Sequence, residues 1–507
     1  MLPRNLKTPA VAAGLLLTTA SAATIADTAV TIYSKATPGA VNPDLYRPTA
    51  NSNSYFGQSI PGYAIVRDQI EIELPAGRSS FALTDVAALI DPTTVRFESL
   101  TDPDGTRVIE QDFRFDLVGT QKLLNRYVDQ QITVEQLVGD GTRSTTGTLL
   151  STDGGLVLQR DDGGIDVLTQ WQNISLSALP GGLMTRPTLV WDVTASRSGN
   201  HDARISYETA GTTWWADYNL VWKPQRSGNS GELSVGAWVS IINRSGADFE
   251  DAQLKLVAGD VQRAPQASAR FNQMALMATR AIAEDAAGFD QKAFFEFHLY
   301  TLGRSVTLPN NATKQIELFA QAEAVPAEKK LVFNGLNTQG IGYGVNDPNF
   351  GAQSNSKVDV YLEFENVKRA GLGVPFPAGR IRVSQLDEAD DALEFIGEDV
   401  ITHTPRNEEV RIRLGSSFDV IGERVQRDYA IDTRARWLEE TVEITITNRK
   451  DIEQQVTIAE PLYRHANWTI SDQTDRYRKI DSRLVHFVVD VAADSERVVS
   501  YKVRYTW

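Results

Sequence analysis

No cysteine occurs among the 507 residues of this chain. Its absence excludes disulfide cross-links, a lipoprotein anchor, thiol catalysis and thiolate metal sites, and leaves apolar cores as the source of stability. Positive charge is also scarce. The 50 Lys and Arg residues stand against 65 Asp and Glu, for a formal net charge of -15. A nucleic acid partner needs basic surface to displace counterions, so this balance argues against one. Beyond the N-terminal leader, no stretch approaches about eighteen uninterrupted apolar residues, and no transmembrane helix is expected. Nucleophile-elbow, H-E-x-x-H, P-loop and EF-hand signatures are all missing. The five histidines, His201, His298, His403, His465 and His486, are scattered without ligand spacing. Each is expected to be structural or exposed. The sequence therefore points to no catalytic residue, no metal and no cofactor, although a triad assembled from distant residues would leave no local trace.

At the N-terminus, Arg4 and Lys7 precede an apolar run from Val11 to Leu17 and then small residues. This pattern predicts a signal peptide over residues 1–22, cut after Ala22 or alternatively after Ala23. The mature chain is then an exported protein of the periplasm or cell surface of a Gram-negative-type bacterium.

Period-two alternation dominates the remainder. Leu233, Val235, Ala237, Val239 and Ile241 fall on one face of a strand, with Glu232, Ser234 and Ser240 on the other. The same pattern recurs at Val410, Ile412 and Leu414 and at Val442, Ile444 and Ile446. Helical spacing is confined to short candidates at Lys122 to Val128 and Phe271 to Ala287. An all-β fold follows, with tandem antiparallel β-sandwich-like domains. The stretch from Gly147 to Leu168 reads as three short strands joined by Asp-Gly-Gly turns, a small meander or SH3-like barrel in the N-terminal part.

The expected organisation is an extended segment over 23–59, a composite N-terminal β domain over 60–200 with its meander near 128–180, a middle β-sandwich over 201–325 and a C-terminal β-sandwich over 326–507. A faint internal echo joins AWVSIINRSG, VYLEFENVKR and VEITITNRKD. Each leads to an asparagine, Asn243, Asn366 or Asn448, able to cap a turn with its own side chain.

Two clusters carry potential chemistry. Trp214, Trp215, Tyr218 and Trp222 crowd into TTWWADYNLVW, with Trp214, Tyr218 and Trp222 on one strand face and Trp215 on the other. Filling a sandwich core is the expected role, and an exposed glycan platform is the alternative. The acidic run holding Asp387, Glu388, Asp390, Asp391, Glu394, Glu398 and Asp399 reads as a solvated connection, with a hard-cation site as the alternative. At the C-terminus, Tyr501, Val503, Tyr505 and Trp507 alternate with polar residues, an aromatic pattern shared with closing strands of outer-membrane barrels.

The stretches RISYETAGTTWWADYNLVW and LSVGAWVSIINRSGADFEDAQLKLVAGDV resemble the bacterial domain of unknown function 4139 family, which includes the mucoidy inhibitor A-like proteins. The likeness continues through FHLYTLGRSVTLPNNATKQIELF, GLGVPFPAGRIRVSQLD and EFIGEDVITHTPRNEEVRIRLGSSFDV. It implies an envelope-associated β-rich protein of unknown activity, with no established catalytic residues to carry over. The long coiled coil of mucoidy inhibitor A-like members has no counterpart in this sequence. Two functions remain open: a non-catalytic interaction or scaffold protein with an envelope protein or glycan partner, or a glycan-binding module or envelope-polysaccharide hydrolase. A hydrolase of that kind needs two carboxyl groups roughly 5 to 9.5 Å apart in a cleft.

Overall fold

The computed structural model describes the chain from Thr24 to Trp507 apart from residues 37–40, 43–44, 47–59, 85, 117, 139–140, 179, 181–182, 226–228, 260, 262–288, 295–296, 337–341, 343, 352–354, 388 and 391. The signal-peptide segment and the helical candidate at Phe271 to Ala287 lie outside the described residues. The other helical candidate is realised as a short α-helix, Thr120–Arg126.

Alternation of apolar and polar residues gives strands nearly everywhere, arranged in four sheets. A seven-stranded sheet runs in the order Phe289–Phe294, Phe297–Leu308, Phe249–Ala258, Thr24–Ser34, Gly62–Leu74, Gly199–Ala210, Ile90–Ser99. A three-stranded sheet of Gly77–Thr84, Thr188–Ala195 and Arg107–Arg114 packs over it, with Phe81 and Trp191 facing Phe97. A thirteen-stranded sheet carries the strands beyond Thr212 that the first sheet does not take, from the edge strand Leu393–Ile401 through Thr212–Pro224 and Ser230–Asn243 to Ser495–Thr506.

The small meander forms as expected. Its five strands follow the order Asn173–Ser175, Gln131–Val138, Gly141–Ser151, Leu156–Gln159, Ile165–Leu168, so the sheet is open and no barrel closes. The Asp-Gly-Gly turns work because Gly154 and Gly163 adopt φ of 70° and 83°, a region that penalises a Cβ. Leu124, Tyr127, Val134, Leu149 and Leu158 give this unit a core of its own.

Three features correct the simpler picture. The ladders are not all antiparallel: Thr24–Ser34 with Phe249–Ala258, Thr212–Pro224 with Gly379–Leu386, and Ala312–Phe333 with Gln454–Pro461 are parallel. Each joins strands far apart in sequence, which a hairpin cannot do. The segment expected to be merely extended supplies a strand, Thr24–Ser34, to the interior of the seven-stranded sheet. Finally, Ser230–Asn243 buries more than one face, because Val41 and Leu45 lie over Ile242 on the side opposite Val239 and Ile241.

Residues 324–330, where a boundary is expected, fall inside the 22-residue strand Ala312–Phe333. That strand gives Ile316 and Val325 to the larger core and Leu331 and Phe333 to the C-terminal core. Strand Glu409–Asp432 does the same with Ile412 and Val420.

Candidate functional site

The tryptophan-rich strand Thr212–Pro224 runs between Ser230–Asn243 and Gly379–Leu386. Its even positions face the core. Trp214, Tyr218 and Trp222 are all buried. The Tyr218 hydroxyl donates to the Pro377 carbonyl at 2.7 Å, and the Tyr300 hydroxyl donates to the Pro375 carbonyl at 3.0 Å. The proline-rich turn VPFPAG is thereby fastened to the strand, with Phe376 packed between Tyr218 and Phe319. Burial pushes the Tyr218 and Tyr300 hydroxyls well above the ordinary phenolic range, so both stay protonated as donors.

Trp215, out of phase with these rings, is half-buried on the opposite face. Its indole N–H donates to Asp217 Oδ2 at 2.7 Å, and the Tyr46 ring lies 5.5 Å away. Asp217 also accepts from Ser240 at 3.1 Å and lies 3.7 Å from the Arg382 guanidinium, so its charge is compensated behind the ring.

At the start of this strand a cleft of about 580 Å³ opens between the seven-stranded and thirteen-stranded sheets. Trp214 and Trp215 form part of its wall, opposite the stacked pair Tyr33 and Tyr63, whose ring centres are 4.7 Å apart and 1° from parallel. Lys35 and His403 complete the polar lining with Ser34 and Thr402. His403 Nδ1 accepts the Ala378 N–H at 3.0 Å, which leaves the imidazole proton on Nε2. The Trp214 indole N–H has no hydrogen-bond partner among the described residues. Among the described residues, no Asp or Glu lines the cleft.

Of the four aromatic candidates, the structure therefore brings Trp214 and Trp215 to the cleft and keeps Tyr218 and Trp222 in the core beneath. Tyr33, Lys35, Tyr63 and His403 were not legible as site residues. They come from separate stretches: the ladders of Thr24–Ser34, Gly62–Leu74 and Gly199–Ala210 place the tyrosines and Lys35, and those of Thr212–Pro224, Gly379–Leu386 and Leu393–Ile401 place His403.

A second cavity of about 910 Å³ has the opposite character, with Asp27, Asp248, Glu250 and Asp251 set against a single cation, Arg186. Elsewhere the acidic run shapes a turn. Asp387 and Asp390 accept the Ala389 and Ala392 N–H groups at 2.9 and 3.0 Å, and Asp399 accepts the Arg413 N–H at 2.7 Å. Glu388 and Asp391 lie outside the described residues. Among the described residues, no three His, Asp or Glu side chains come together as a metal site.

No protein-family model matches the chain, and no curated protein matches it.

Proposed function

We propose that this chain is an exported, non-catalytic interaction protein of the bacterial cell envelope that binds a ring-bearing ligand, an envelope glycan foremost, in the aromatic cleft. The observation that carries this reading is the lining. The half-buried rings of Trp215 and Tyr33, backed by the buried Trp214 and Tyr63, present apolar surface to the cleft, and tyrosine and tryptophan combine such faces with polar edges. The cleft is concave and of small-molecule size. Among the described residues its lining holds no carboxylate pair of the kind glycoside hydrolysis uses, which favours binding. The family resemblance and the export signal are proposed on the sequence stretches that carry them, and they support an envelope setting for this cleft.

A second reading, docking of a protein strand, is favoured by one place. The edge strand Leu393–Ile401 leaves Leu393 57% and Phe395 60% exposed beside an unpaired ladder edge.

Titration with envelope-derived oligosaccharides, followed by tryptophan fluorescence, tests the first reading. Trp215→Ala is expected to weaken binding about tenfold, the scale of one lost stacking contact. Trp222→Ala, buried away from the cleft, is expected to cost about 3 to 5 kcal/mol of stability while the folded protein keeps its affinity. If Trp215→Ala binds as tightly as wild type, or if oligosaccharides do not bind at all, the glycan reading fails.

A further inference from the structure

Among the described residues, four Asp and Glu side chains line the second cavity, whereas the lining of the cleft carries none. Its charged lining residue is Lys35, whose ammonium lies 6.0 Å from the centre of the Tyr63 ring and makes no ion pair among the described residues. Arg67, next along from the cleft, is near enough to Tyr33 to act on its hydroxyl. The neighbouring carboxylate, Asp217, is turned away behind Trp215 and held by the indole, Ser240 and Arg382. On the opposite wall His403 Nδ1 is taken up as the acceptor of the Ala378 N–H, so it presents no free lone pair there. A lysine ammonium thus sits beside aromatic rings, and no described carboxylate shares the lining with it. A concave, partly dry wall strengthens the field of that charge over its value in open water.

We propose that the cleft takes a ring bearing a carboxylate, with the carboxylate held at Lys35 and the ring against the tryptophan and tyrosine wall. This rests on the ring-binding reading above and names the chemical class. A sugar acid and an aromatic acid both satisfy it. The full-length mature chain is titrated by calorimetry at low salt with four probes: glucuronate, glucose, benzoate and benzyl alcohol.

Each acid is expected to bind at least tenfold more tightly than its neutral counterpart, the scale of one hydrogen bond to a charged group. The advantage is expected to shrink as salt is raised, since a partly exposed lysine is screened. Lys35→Gln should remove the difference between acid and neutral probe within each pair. Tighter binding of glucuronate than benzoate identifies the sugar acid, and the reverse order the aromatic acid. Equal affinity within each pair, or an acid preference that survives in Lys35→Gln, overturns the charge inference and leaves ring binding standing. Failure of all four probes overturns both.

Discussion

At the residue scale, the three asparagines of the internal echo show which chemistry a sequence makes visible. Asn243 donates from Nδ2 to the Ala247 carbonyl at 2.8 Å and accepts the Ser245 N–H at 3.1 Å. Asn448 repeats this with Ile452 at 2.9 Å and Lys450 at 3.0 Å. Asn366 reaches further, to the Val374 carbonyl and the Gly373 N–H, because a longer connection follows it. Such local capping is legible because the side chain acts on its own turn. All three are also buried and bind a second strand end, as when Asn448 reaches the Val491 and Ala492 carbonyls at 3.1 and 3.0 Å. Asn448→Ala is expected to cost about 3 kcal/mol in urea denaturation, since it orphans buried carbonyls as well as removing bonds. A cost below about 1 kcal/mol would show that water replaces the amide. Asp68 is the contrary case. It sits on the core face of Gly62–Leu74, bonded by the Thr28 hydroxyl at 2.8 Å, and burial raises its pKa to about 6. Nothing near it in sequence announces this, because its cover comes from a strand 40 residues away. Between the ordinary carboxylate range near 4 and about 6, the native state holds a proton that the unfolded state has released. Asp68 accordingly withdraws stability as pH rises through that window. Asp68→Asn should gain about 2 to 3 kcal/mol at pH 7.5 and nothing at pH 4 in paired denaturation curves. An equal effect at both values would assign the change to packing instead.

At the scale of elements, the closing strand Ser495–Thr506 departs most from its sequence pattern. Its aromatic alternation matches an outer-membrane strand, yet Tyr501 and Tyr505 are wholly buried against charge. The Tyr501 hydroxyl donates to Glu460 Oε1 at 2.5 Å and the Tyr505 hydroxyl to Glu440 Oε1 at 3.2 Å. Arg424 and Arg464 pair with those same glutamates at 2.8 Å, with all four side chains out of contact with solvent. Arg464 also donates to Gln426 Oε1 and to the carbonyls of Val345, Asp347 and Phe350, which straps residues 344–351 across this end of the sandwich. Sequence alternation reports which face is inward, not what waits there, so two buried arginines and two buried glutamates leave no mark in the pattern. The tryptophan strand was the easier element, because large aromatics at even positions already specify a packed face. A buried pair loses heavily when one member is removed, because the other stays charged and unmatched. Arg464→Met should cost about 3 to 5 kcal/mol and open residues 344–351 to protease. Adding Glu440→Gln to it should recover part of that loss. Strictly additive costs in the double-mutant cycle would mean that the strap, not the ion pair, holds this end together.

At the scale of the whole molecule, composition and period were enough for an all-β chain, but connectivity was not. Sequence breaks suggest consecutive sandwiches, whereas the seven-stranded sheet gathers strands from residue 24 to residue 308 and the two long strands Ala312–Phe333 and Glu409–Asp432 pass from one core into the next. Polar residues such as those near 198–202 mark a tight reversal into Gly199–Ala210, and a reversal looks the same in sequence whether a domain ends there or not. The small meander is different. It leaves the ladder of Arg107–Arg114 with Thr188–Ala195 and returns to it, and its two ends meet: the Met184 N–H donates to the Asp116 carbonyl and the Val118 N–H to the Met184 carbonyl, both at 2.9 Å. Its eight buried core residues all lie between Leu124 and Leu168. An excursion whose ends are adjacent and whose core is its own costs little to remove, because the remaining chain closes over a short gap. Replacing residues 119–182 by a short Gly-Ser turn should therefore leave the rest folded, with a urea midpoint close to wild type and Trp215 fluorescence still responsive to cleft ligands. If the shortened chain is instead aggregated or loses its cooperative transition, the meander is part of the folding unit, and the apparent independence of its core reflects only the distance between two clusters.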